Sequence, residues 1–199
     1  KVVAALLKMG IEKTHVIKVD VDITDGLEAS ARRARYAALD ACAEQSGAAF
    51  VFLGHTRDDQ SESVLLGLTR GSGARSLAAM AARNGKYIRP LLSITREETL
   101  GACAQAQLDP WDDPHNADKT FTRVRVRHDV IPHLEKNLGP GISAALARTA
   151  SLLRDDADAL DQLAEAEFLA HDRLSLDISR LEKLPKAIRT RVLRMAIYA

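Results

Sequence analysis

Helical and strand-like stretches alternate along the first ~70 residues, and this alternation restricts the fold more than any other feature of the chain. Lys1 to Met9 place apolar side chains at helical spacing and end at Gly10, a residue able to take the left-handed conformation that closes a helix. The run His15 to Val21, HVIKVDV, then alternates apolar and polar residues as a strand does. A helix is expected over about Glu28 to Gln45, a short buried strand over Ala49 to Leu53 (AFVFL), and a further helix from Thr56. This order implies an α/β fold built on a parallel sheet with helices on both faces. In such sheets ligands bind beyond the carboxyl ends of the strands, which directs the search for chemistry to Gly54 to Asp59.

The remainder reads differently. A helix over Thr95 to Gln107 is followed by DPWDDPHNADK, where two prolines and several Asp and Asn residues favour turns. Beyond it the pattern is helical: Thr122 to Asn137, a break at Leu138 to Gly141 (LGPG), then a long run from Ser143 to about His171. The break divides the chain into an α/β unit over 1–137 and a smaller helical unit over 138–199. The first residue is Lys1 rather than Met, so a natural start upstream is expected. No apolar run approaches the ~18 residues of a membrane span, and Cys42 and Cys103 stand outside any paired ligand pattern. Both features fit a cytoplasmic protein. With 28 Lys and Arg against 27 Asp and Glu, net charge argues neither for nor against nucleic acid, so only local clusters inform.

The densest cluster is LGHTRDDQSESVLLGLTRGSG, Leu53 to Gly73. Thr56 and Asp59 stand in a capping-box relation, and acids in a first turn complement the helix dipole, a purely structural account. Yet His55, Asp58, Asp59 and Glu62 fall within eight residues, with Glu62 on the same helical face as the two aspartates. Clustered carboxylates repel unless a cation offsets them, which suggests Mg²⁺ or a bound lysine ammonium. Arg70 with Gly71 and Gly73 reads as a helix end, with an anion contact as the alternative. Arg123, Arg125 and Arg127 recur at every second residue; on a strand they would share a face, on a helix they would spread around it, and three guanidiniums near a sheet end suit phosphate. Residues Arg180 to Arg194 hold six basic side chains and one acid, with Leu184, Ile188, Val192 and Leu193 at helical spacing and Pro185 suited to a helix start, so one face can pack while the other meets a polyanion such as tRNA. The chain holds neither a G-x-x-x-x-G-K-[ST] loop nor a G-x-G-x-x-G fingerprint.

The string GHTRDDQSESVLLGLTRGSG, followed by SLAAM, RPLL, the DPHNAD loop and RVRVRHDVIPHLE, resembles the tRNA(Ile)-lysidine synthetases of the N-type ATP pyrophosphatase (PP-loop) group. The resemblance runs in consistent order from about Val19 to Leu160. It implies an adenine nucleotide alpha hydrolase-like fold and a ligase that adenylates C2 of the wobble cytidine of an isoleucine tRNA. Lysine then displaces AMP to give lysidine. It implies ATP and Mg²⁺ as cofactors, isoleucine tRNA and L-lysine as partners, no membrane, and leaves room for a homodimer. Carried onto this chain, it makes Asp59 the group that contacts the base or the lysine amine and accepts its proton. Glu62 then binds or orients the ammonium, and Arg127 stabilises charge during adenylyl transfer. Arg35 (in ARRARY), His55, Asp58 and Arg70 become the nucleotide contacts, with Asp58 also the metal ligand.

The chain departs from the family pattern at Thr56, where a second histidine is expected, at Ser63 for threonine, and at Val124 for asparagine. The S-G-G-x-D-S loop that would cradle the ATP pyrophosphate is not in the sequence, so poor ATP binding is expected of the polypeptide as written. A tRNA thiolase, an amide-forming synthetase of the same group, or a non-catalytic RNA-binding fragment are the competing readings. Thiolation calls for paired cysteines near the site, which Cys42 and Cys103 do not form.

Overall fold

The computed structural model describes residues 1–24, 26–71, 73–170 and 175–198. The first helix, α1 (Val2–Lys8), gives way to Gly10 at φ 80, as its sequence implies. The segment expected as the first strand does not become one. Among the described residues no backbone–backbone hydrogen bond involves residues 12–23, and Val16 and Ile17 are 82% and 49% exposed. An alternating pattern states only what a strand would bury; the ladder itself needs a neighbour, and none of the described strands lies against this run.

Helix α2 (Leu27–Ser46) ends on left-handed Gly47 and leads into β1 (Val51–Phe52), inside the expected strand. Helix α3 (Arg57–Thr69) and the short α4 (Ala74–Leu77) follow. Strands β2 (Arg83–Asn84) and β3 (Tyr87–Ile88) form a hairpin around Gly85 at φ 57. The sheet order is β1-β3-β2, with β1 parallel to β3 and β2 antiparallel to it. The β1–β3 pair is parallel, as in the expected parallel sheet, while β2 adds an antiparallel edge, so the described sheet is a small mixed one. The reason lies in Asn84-Gly85, a hairpin signal that reverses the chain too tightly for a crossover.

Helix α5 (Arg96–Gln105) is started by Thr95, whose hydroxyl accepts the Glu98 N–H while Glu98 accepts the Thr95 N–H. The expected turn-rich loop holds one 3₁₀ turn at Pro114–Ala117. The expected helix from Thr122 is a composite: α6 (Thr122–Arg125), a π-helical turn over Val126–Val130, and α7 (Ile131–Leu138). The break at LGPG places Gly139 at φ 99 and Gly141 at φ 95. Glu135 spans it by accepting the N–H groups of Gly141 and Ser143; the Ser143 N–H in particular holds its carboxyl below the usual range.

The long helix α8 (Ile142–Leu169) follows this break. Its fully buried Ala150, Ala157 and Ala164 recur every seventh residue, a stripe narrow enough for close helix approach. Along its length α8 packs against α3, α4 and α7, and against α10 (Lys186–Tyr198). Ser143 donates to Ser61 of α3, Arg75 of α4 pairs with Asp158 and Asp161, and Arg154 donates to the Ala78 and Ala79 carbonyls. Gly67 lets α3 pass the chain at Ser76, whose carbonyl oxygen would lie 3.0 Å from an added Cβ. Towards its end, Ala164 and Phe168 build an apolar core with Leu181 of α9 (Ile178–Lys183) and Ile188 and Val192 of α10 (Lys186–Tyr198). His171, the expected limit of α8, lies outside the described residues. Among those residues no helix is long and apolar enough to cross a membrane.

Candidate active site

Strand β1 ends at Phe52, and two residues after it Gly54 and His55 lead to Thr56, the cap of α3. The capping box forms: Asp59 Oδ2 accepts the Thr56 N–H at 2.8 Å and its hydroxyl at 3.0 Å. The other oxygen, Oδ1, faces Arg96 and Arg127, each with a guanidinium nitrogen at 3.5 Å. Asp59 thus serves local structure with one oxygen and presents the other to a cationic surround. Its side chain keeps 15% exposure, so a small ligand can still reach it.

One turn further, Glu62 is fully buried. Arg127 grips it with both arms, Nε to Oε1 at 2.7 Å and Nη2 to Oε2 at 3.1 Å. Arg123 and Arg96 stand at 3.5 and 3.6 Å. Burial works against the charge of Arg127, yet the hydrogen bond and field of Glu62, joined by Asp59 and Asp58, hold its guanidinium above the ordinary value. The Arg triplet is thereby resolved as helical. Arg123 and Arg127, four residues apart, share the face towards Glu62, while Arg125 turns away to the carbonyls of Lys119 and Thr120. Val124 and Val126 between them are buried, so the valine that replaces the family's asparagine is a packing residue.

Asp58 departs from its expected metal role. Its Oδ2 accepts the Arg96 N–H at 2.7 Å, which ties the first turn of α5 to that of α3. Among the described residues no three His, Cys, Asp or Glu side chains gather as a metal site. The clustered acids do need cations, and guanidiniums supply them: Arg96, Arg123 and Arg127 answer Asp59 and Glu62. The donor set therefore does not fit Mg²⁺. Glu62 likewise offers an ammonium no exposed oxygen, which sets it apart from the direct contact expected of it.

His55, next to the cap, is half-buried and its Nδ1 is buried without a hydrogen-bond partner. Burial lowers its proton affinity; Asp59 opposes this, and Arg89, Arg32 and Arg123 add to it. The folded protein then holds this proton less tightly than the unfolded chain, whose histidines titrate near ~6.5. Stability is therefore intact above that pH and declines as the pH falls through it towards the lower folded value. His55→Asn is expected to flatten the acid limb between about pH 7 and pH 5, read as urea midpoints at several pH values. Equal slopes in the two proteins would remove His55 from the acid response.

Arg35 and Arg70 are not bonded to this cluster. Arg35 lines a cleft of ≈ 410 Å³ with Arg32, His115 and Arg123. Arg70, the exposed C-cap of α3, lines a neighbouring cleft of ≈ 910 Å³ that shares Arg32 and His115. Sequence reasoning missed Arg96 and Arg89. Arg96 carries no motif beyond its place after Thr95, and Arg89 belongs to RPLL, whose residue types alone point to no chemistry. Cys42 and Cys103 sit on separate helices, α2 and α5.

Residues 1–134 match the family model of the PP-loop domain. The chain is 54% identical to a tRNA(Ile)-lysidine synthase of Thermobifida fusca over 96% of its own length and 60% of the relative's. It is 53% identical to the protein of that name from Streptomyces coelicolor, over 98% and 57%. Against that of Mycobacterium tuberculosis H37Rv it is 45% identical, over 94% and 58%. The chain thus spans about three-fifths of the length of the curated relatives it matches. With an acidic helix start placed after a strand whose parallel partner fixes its end, and a family model covering most of its length, the chain belongs to the PP-loop domain family.

Proposed function

We propose that this chain is the nucleotide-activating core of a tRNA(Ile)-lysidine synthase, a ligase that uses ATP. In the first step the O2 atom of the wobble cytidine of isoleucine tRNA attacks the α-phosphorus, the α–β anhydride breaks and pyrophosphate leaves. In the second, the ε-amine of L-lysine attacks C2, AMP departs with the oxygen, and the amine gives up a proton. The observation that carries this reading is the Asp59 carboxylate beyond the end of β1. One of its oxygens is free of the cap, and a buried Glu62–Arg127 pair supports it from behind. Asp59 is the proposed acceptor of the amine proton, since only the neutral amine is a nucleophile. Arg127 is proposed to stabilise charge on the transferring phosphoryl group, and Glu62 to hold that guanidinium in place.

Kinship to the relatives named above supports the substrate. Arg35, His55 and Arg70 are the proposed nucleotide contacts, and Mg²⁺ is proposed to travel on the nucleotide phosphates rather than on Asp58, whose Oδ2 is engaged. The α/β unit over 1–137, as a hydrolase-like layer of sheet and helices, would activate the nucleotide. The helical unit over 138–199 would meet the tRNA. Work in the cytoplasm, where ATP and tRNA are found, and assembly as a homodimer belong to the same reading.

Incorporation of labelled lysine into an isoleucine tRNA transcript by the full gene product, with ATP and Mg²⁺, tests it. Incorporation is expected to require ATP and to vanish when the wobble cytidine is replaced by uridine. A folded protein that binds the transcript but incorporates no lysine would refute this activity.

A further inference from the structure

The first turn of α3 serves two places at once. Asp59 and Glu62 turn towards the arginines of the site described above, while Arg57 and Gln60 line a separate cleft of ≈ 590 Å³ that α8 also lines. This volume is within the range of small-ligand sites. Met80 and Leu92 give the cleft apolar surface, and Arg148 and Arg154 of α8 bring its guanidiniums to three, against the single carboxylate of Asp155.

Among the described residues none of the three arginines pairs with a carboxylate, and the side chains of Arg57 and Arg148 make no hydrogen bond. Glu98 feels the charge of Arg57, but its Oε2 is held by Thr95. Arg154 is half-buried and donates to the Ala78 and Ala79 carbonyls at 2.6 and 2.7 Å, which meets its hydrogen bonding and leaves its charge uncompensated. Burial lowers its proton affinity, Arg75 and Arg89 add to this, and of the two acids that oppose it Asp158 already pairs with Arg75.

The wall at Met80 is built in advance. The buried Gln60 amide accepts the Met80 N–H at 2.9 Å and donates to the Met80 carbonyl at 2.8 Å. Just before it Ala79 sits at φ 48, a left-handed conformation that is costly for a residue with a Cβ, and Arg154 holds that turn through its carbonyls. Two clamps distant in sequence therefore fix the wall, which lowers the cost of ordering it around a ligand.

We propose that this cleft binds a segment of single-stranded RNA, one base resting on Met80 and Leu92 and the flanking phosphates on Arg57, Arg148 and Arg154. Uncompensated guanidiniums around a cleft select a polyanion, and an apolar floor between flat guanidiniums suits a nucleobase, which packs on apolar surface and stacks on the guanidinium plane. A run of carboxylates would answer the charge and leave the floor uncovered. Arg57 precedes Asp59 by two residues, so a strand seated here runs beside the helix start that carries the proposed proton acceptor. The choice of RNA rests on the proposed function; the site itself rests on the cleft and its unanswered charges.

A fluorescent oligoribonucleotide of about eight nucleotides is the probe, titrated into the full gene product and followed by anisotropy at several salt concentrations. Arg148 is exposed, so Arg148→Ala should fold as the unmodified protein does. Arg148→Ala and Arg57→Ala are each expected to weaken binding roughly three- to tenfold at low salt. Each should also flatten the slope of log affinity against log salt by about 0.7, the share of one phosphate contact on a single strand. Lys8→Ala, which removes an exposed cation of α1, controls for net charge and is expected to leave affinity and slope nearly unchanged. Thiouridine in the oligoribonucleotide, photo-crosslinked and mapped by mass spectrometry, is expected to mark Met80, Leu92 or residues 144–155, and it decides the matter if Arg57→Ala fails to fold. Equal losses in Lys8→Ala and Arg148→Ala, or crosslinks confined to other surfaces, overturn the proposal. Displacement of the RNA by polyglutamate at equal charge concentration overturns it in favour of an acidic peptide. Lysine incorporation is read separately: RNA binding with these losses but no incorporation would overturn the activity and leave the cleft standing, and incorporation with RNA affinity indifferent to both arginines would do the reverse.

Discussion

Asp59→Asn is expected to slow lysine transfer by about two to four orders of magnitude, the usual worth of a positioned proton acceptor. The substitution keeps the size of the side chain and an oxygen able to accept from Thr56, so the start of α3 should survive. What it removes is the capacity of Oδ1 to take a proton in the field of Arg96 and Arg127. Asp59→Ala also removes the acceptor of the Thr56 N–H and hydroxyl, the reciprocal half of the capping box, and should cost about 1 kcal/mol of stability in addition. Measuring rate and urea midpoint for both variants separates the two jobs of one carboxylate. Single-turnover lysine transfer is the rate to follow, because pyrophosphate release reports the earlier step, in which Asp59 has no proton to accept. Retention of the unmodified rate by Asp59→Asn would leave Asp59 as a helix cap only.

The site was more legible in the sequence than the sheet, for a physical reason. A helix start crowded with His55, Asp58, Asp59 and Glu62 is written within one short window, and the capping relation of Thr56 to Asp59 depends on local spacing alone. What answered those acids was written elsewhere. The partners of Glu62 come from α5, α6 and the π-helical turn, more than thirty residues away, and no local pattern states that guanidiniums rather than a metal would supply the cations. Helix spacing pairs Arg123 with Arg127 and sets Arg125 aside, but the triplet's alternation fits a strand as well as a helix. In the sheet, His15 to Val21 has the alternation of a strand without a described partner, and Asn84-Gly85 is a hairpin signal outside the helix–strand alternation of the first ~70 residues. Pairing is a property of two segments, so one segment's pattern underdetermines it.

Glu62→Ala is expected to destabilise the fold by about 3 to 5 kcal/mol, the range for removing one partner of a buried ion pair. The Ala side chain would leave Arg127 with its bidentate acceptor gone and Arg123 without its acid, both in surroundings that no longer match their charge. The damage should spread, because Glu62 is where α3 is tied to the π-helical turn that follows α6. Glu62→Gln keeps one acceptor and should lie between Ala and the native residue. Replacing both partners by methionine tests the cause: if the loss comes from a stranded guanidinium, Glu62→Met with Arg127→Met should be more stable than Glu62→Ala alone, despite carrying two changes. Urea denaturation of the four proteins gives the comparison. A cost below about 1 kcal/mol for Glu62→Ala would mean that water reaches the guanidiniums and that the pair is a surface contact in energy, whatever its burial.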